Sequence, residues 1–353
     1  MRIGYTSTLE ILFELQKIGK EEHMTDYELI SKNRTVIMGI AALWIMIFHG
    51  TINTTVDIFS TLIKIGYLGV DIFMFMSGFS MEHSYNQTCV LNPRSFYKKR
   101  MKKILPTFVP FGILWIVGYL HDNYPTKELL LQGFHTKEFW ITMVTFRWFV
   151  PCIIFCYFVT PLVDAFIKRL GHKLSTLLLM VIPILAFSIL FIGSSVALMF
   201  LIRIPEYIIG YYYAGNPERK SNGIIRTVLV FLEIVIYYYL VNTFSDEYLC
   251  DTGLYWYLAV FCTSSMVLCI AYVGKILENR VINFMGNYSL ELYLLHVYFM
   301  FSIFGLAEKF GLQLDRFNLC TNIFSIIFAC AVSWIYSKII AFAMSKIENY
   351  RRR

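Results

Sequence analysis

Long apolar runs, nearly free of charge, recur along the whole chain, and each is long enough to cross about 30 Å of hydrocarbon as a helix. Ten can be read, near residues 35–53, 61–82, 104–120, 146–167, 174–192, 195–213, 224–243, 254–274, 284–305 and 320–343. In lipid a backbone must satisfy its own polar groups, so such runs fold as helices. The expected fold class is therefore all-α: a polytopic membrane helix bundle of about ten transmembrane helices. Composition agrees. Of 353 residues, 57% are apolar and 16% charged, where a soluble domain carries about 25% charge. A soluble enzyme, a disordered chain and a disulfide-stapled module are all excluded. The two runs flanking Gly193, Ser194 and Ser195 leave one alternative, a single re-entrant element, which would change the parity downstream.

The formal net charge is +7, but the cations sit in short loops between apolar runs, which points to membrane lipid and topology rather than nucleic acid. With both termini cytosolic, cytosolic segments hold 24 Lys and Arg. External loops hold four, at Lys127, Lys137, Lys309 and Arg316. The expected organisation is a polar cytosolic segment at 1–34 without a cleavable signal, one membrane domain at 35–344, and a basic cytosolic tail at 345–353. The eight cysteines read as small packing residues, and none shows metal-ligand spacing, so no metal is expected.

Charges inside hydrocarbon cost at least about 2.5–3.5 kcal/mol each, which makes every one a candidate site. The short list is His49, Asp71, Arg147, Arg203, Glu206, Glu233, Glu291 and His296. His49 falls in the outer third of the first span, and imidazole is the side chain best suited to accept a proton near neutral pH. Asp71, Phe75 and Gly78 share a helix face, and the small pair Ser77-Gly78 allows close helix approach. Arg203 and Glu206 are three apart, which permits an ion pair. Ser289, Tyr293 and His296 form a polar stripe that should face the bundle interior. Six cations between Arg94 and Lys103 either set topology and hold anionic lipid, or grip the phosphates of a nucleotide-like donor.

These segments, in this order, resemble the acyltransferase-3 family of bacterial integral membrane acyltransferases. The resemblance runs over residues 34–344 and rests on Gly39 to His49, Gly69 to Phe79, and Phe96, Arg100, Lys103 and Pro106. Trp148-Phe149 with Tyr157 and Pro161, Arg203 to Gly210, and Gly286 to His296 continue it. One departure stands out: the family usually has an Arg eleven residues before the His, and here that position is Met38. Arg34, one turn nearer the cytosol, either takes over some of that role or snorkels to the inner surface.

The resemblance implies a stand-alone, multi-pass protein of the bacterial cell (inner) membrane. It would transfer an acyl group, acetyl by default, from cytosolic acyl-CoA to a glycan or lipid-linked saccharide hydroxyl. Acyl-CoA is then a co-substrate, with no permanently bound cofactor. His49 would be general base, and Asp71 would orient it or pair with Arg147 or Arg203. Arg100 and Lys103, with Lys99 and Arg34, would hold the CoA phosphates. Ser77, Arg147, Trp148, Arg203, Glu206, Ser289, Tyr293 and His296 would line the substrate path. The alternative is a secondary transporter with an intramembrane proton relay, against which stands the absence of a sequence repeat. A scaffold in envelope assembly is a third reading. Oligomeric state is not readable from the chain.

Overall fold

In a computed structural model, described over residues 24–50, 52, 54, 56–88, 93–121, 149–315 and 317–352, the described residues form helices and no strand. The first elements are α1 (Asp26–Lys32), α2 (Arg34–His49), α3 (Asp57–Lys64), α4 (Leu68–Thr88) and α5 (Pro93–His121). The middle of the chain holds α6 (Phe149–Leu170), α7 (Leu174–Ser188), α8 (Ser195–Ala214) and α9 (Gly223–Thr243). The last third holds α10 (Asp246–Thr252), α11 (Leu254–Tyr272), α12 (Gly274–Leu277), α13 (Arg280–Asn287), α14 (Ser289–Lys309) and α15 (Leu319–Arg352). Among the described residues seven helices are long and apolar enough to cross a membrane, and α1 with α2, bent by 68°, would make an eighth. Helices α5 and α8 occupy two further predicted spans.

Several boundaries differ from the sequence expectation, each for a local reason. Residues 26–32, expected in the polar lead-in, form α1. Thr25 and Glu28 close a capping box there, and Leu29 and Ile30 are buried. Asp26 is also buried and tied to the α8–α9 loop, where Ser221 Oγ donates to it at 2.8 Å. The first span ends at His49, because Gly50 turns extended. The ninth is broken at Tyr288, so α13 is a separate amphipathic helix lying beside the true span, α14. At the Gly193–Ser195 break α7 and α8 are distinct helices, and Gly193 between them has φ +89°, a conformation glycine tolerates.

The most extensive helix contact is α4 on α8. A Cβ on Gly78 would collide with the Tyr207 carbonyl, and one on Gly210 with the Phe75 carbonyl. The expected close approach at Ser77-Gly78 is thus met by a reciprocal glycine in α8, as small residues permit in membranes. Beside this pair, α6 is held to α8 by the Thr160 and Tyr207 hydroxyls at 2.6 Å and by Tyr211 donating to Asp164 at 3.0 Å. Helix α2 packs on α4 and α13.

Candidate functional site

A cavity of about 420 Å³ lies between α2, α4, α5, α6, α13 and α14, at the end of the bundle that carries Arg34, Arg100 and Lys103. Arg34 reaches it as the first residue of α2, and Arg100 and Lys103 as neighbours on one face of α5. Burial, then Arg34 and Arg100, lowers the Lys103 ammonium. Like charges crowded in this way are relieved by an anion, most strongly one with several oxygen acceptors. Met38, Ser77 and Ser289 also line the cavity, as do Tyr157, Thr107 and Glu291, which the sequence did not mark as lining groups. Their common signal is polarity on the inward face of an apolar helix.

The deep wall is aromatic. Phe149 and Tyr293 ring centroids are 4.4 Å apart, Phe73 and Phe149 6.0 Å, and Phe73 and Tyr293 6.3 Å. One turn further along α14, the His296 ring lies 6.1 Å from Tyr293, and the His49 ring lies 5.1 Å from His296. Phe48 packs edge-on against His49. The two histidines therefore stand behind the collar, outside the cavity lining itself.

Backbone contacts determine the tautomer of His296. Its Nδ1 lies 2.8 Å from the Leu292 carbonyl and 3.0 Å from that of Tyr293. Both partners only accept, so Nδ1 carries the proton and Nε2 is a bare acceptor. That nitrogen is buried and has no hydrogen-bond partner among the described residues. Asn322 of α15, also buried, places its side-chain oxygen against Gly50, the residue after His49.

Asp71 has a different partner from His49. Of the alternatives open to it, the structure selects Arg203, whose Nε and Nη2 lie 3.1 and 3.3 Å from the two carboxylate oxygens. Both residues are 1% exposed. Arg203 also lies over the Trp256 ring, and Glu206 accepts from Thr263 Oγ1 at 3.2 Å. With Glu233 buried in α9, these groups form a polar core between α4, α8, α9 and α11. Arg203 and Glu206, expected on the substrate path, do not line the cavity. Lys99, expected among the phosphate-holding cations, is exposed on the flank of α5 and does not line it either. Arg147 and Trp148 lie outside the described residues.

Comparison with known proteins agrees with this architecture. The family model described as acyltransferase domain matches residues 36–338. Proteins of Staphylococcus aureus strains COL and MSSA476, each named "Putative O-acetyltransferase", are 22% identical over 282 residues. That stretch covers 65% of this chain and 45% of each relative, so the chain matches under half the length of those proteins. No solved structure matches. With the family model spanning most of the sequence and a bundle of long apolar helices beneath it, this chain belongs to the acyltransferase-3 family.

Proposed function

We propose that the chain is an O-acyltransferase of the bacterial cell (inner) membrane, moving an acyl group, acetyl by default, from cytosolic acyl-CoA to a hydroxyl of an envelope glycan or lipid-linked saccharide. The observation that carries this reading is a succession along α14: a cationic chamber at Ser289, an aromatic collar at Tyr293, and two facing imidazoles at His296. A CoA donor has the same order of parts, with phosphates at one end, a narrow pantetheine arm, and a thioester at the tip.

Arg34, Arg100 and Lys103 hold the phosphates by charge-assisted hydrogen bonds. The arm passes the collar when Phe73, Phe149 and Tyr293 part. His49 takes the proton from the acceptor hydroxyl, and the oxygen attacks the thioester carbonyl. The tetrahedral adduct collapses, the C–S bond breaks, and the leaving sulfur takes the proton back from His49. The products are the acyl ester and CoA thiol. His296 Nε2 serves as a positioning acceptor for an N–H of His49, leaving the other His49 nitrogen free as base. The two ring centroids stand 5.1 Å apart with Nε2 of His296 unpartnered among the described residues, so a turn of the His49 ring brings its N–H onto that acceptor. Asp71 and Arg203 act as structure, joining α4 to α8.

The test is transfer from radiolabelled acetyl-CoA in membranes carrying His49→Ala. We expect normal insertion and abundance with at least about a hundredfold loss of transfer, the scale of a removed general base. Transfer at the parental rate would overturn the assignment.

A further inference from the structure

The basic stretch of α5 has two faces, and only one of them serves the inner cavity. Arg100 and Lys103 line that cavity, whereas Lys98 and Lys102 border a second one, of about 510 Å³, on the outside of the bundle between α5 and α15. Lys98 and Lys102 are four residues apart, so they stand one above the other. Both are exposed, and neither ion-pairs with a carboxylate among the described residues. Every other residue lining the groove is apolar. Leu105 and Val109 in its walls are 37% and 48% exposed, surface that only hydrocarbon covers in a bilayer. Beyond Lys102 the groove follows α5 to Pro110 for about 12 Å, enough to hold the upper part of an acyl chain. The Tyr336 hydroxyl of α15 donates to the Thr107 carbonyl of α5 at 2.6 Å, which ties the two walls together.

We propose that this groove is a binding site for an anionic phospholipid. One acyl chain lies between α5 and α15, and the headgroup phosphate sits between the Lys98 and Lys102 ammonium groups. Two unpaired ammoniums above an apolar slot complement a net-negative headgroup and repel the cationic end of a zwitterionic one. The site does not depend on the acyl-transfer reading.

The test uses the full chain in nanodiscs of phosphatidylcholine, alone or with phosphatidylglycerol, read by native mass spectrometry of retained lipid and by thermal unfolding. Phosphatidylglycerol should be retained and raise the melting temperature. The double variant Lys98→Gln/Lys102→Gln should lose retention about ten- to thirtyfold, as two surface cations predict. Leu105→Trp, which fills the slot and keeps both charges, should lose phosphatidylglycerol as well. Equal retention of the two lipids by the parent chain would overturn the proposal, as would unchanged retention in the lysine variant. A dimer that Leu105→Trp dissociates would overturn it in favour of a second copy of the chain.

Discussion

At the scale of single residues, the histidine pair illustrates how backbone contacts set side-chain chemistry. His296 is locked by carbonyls of its own helix, so the free nitrogen is an acceptor whatever His49 does. A glutamine at 296 keeps an acceptor oxygen, whereas a phenylalanine keeps only the ring. We therefore expect His296→Gln to lower kcat roughly tenfold with the donor KM unchanged, and His296→Phe to lower it further. A purely packing role would give the opposite order, with Phe the milder change, and steady-state kinetics of the two variants decide it. Asp71 and Arg203 show another residue-scale effect. Breaking a fully buried ion pair strands a charge and costs about 3–5 kcal/mol, so loss of function on mutating Asp71 alone would report on folding before catalysis.

At the scale of elements, α5 divides a single run of cations by helical geometry. Residues 100 and 103 turn inward while 98 and 102 turn outward, a separation invisible in a linear count of charges. Arg100→Ala should raise the apparent donor constant about ten- to a hundredfold, since a hydrogen bond to a charged group contributes about 1.5–3 kcal/mol. Lys98→Gln should leave that constant unchanged. A donor titration of the two variants checks this, and equal effects would deny the two-faced reading. Helix α2 is organised from the same end: Arg34 lines the cavity beside Met38, so a cation one turn away is present where the family position carries none. The crossing of α2 with α13 explains the Gly39 and Gly286 motif glycines. A Cβ on either would strike the other helix, at the Ile282 or Thr35 carbonyl.

At the scale of the molecule, the bundle has an end where Arg34, Arg100 and Lys103 gather and an opposite end where α14 passes into α15. The charge bias predicts that the first faces the cytosol and the second the exterior. Cys320, at the start of α15, is the exposed cysteine among the described residues. A membrane-impermeant maleimide applied to intact cells should label it, and Cys320→Ser should abolish the label. Labelling only after lysis would reverse the orientation and with it the route assigned to the donor.

The sequence alone determined the class of fold, the approximate places of the long apolar helices and the motifs of the family, because lipid leaves an apolar run no other structure than a helix. It also determined which helix faces are polar, since helical spacing is a property of the chain. What it left open were pairings between helices far apart in sequence. Asp71 had three possible partners, and the contact of α4 with α8 selected Arg203. His49 was expected beside Asp71, and instead α14, some 250 residues later, brought His296 to it. Cations adjacent in one loop were sorted into two sites by what packs on either side of α5. Local periodicity says which way a side chain points along its own helix, and only tertiary packing decides what it meets there.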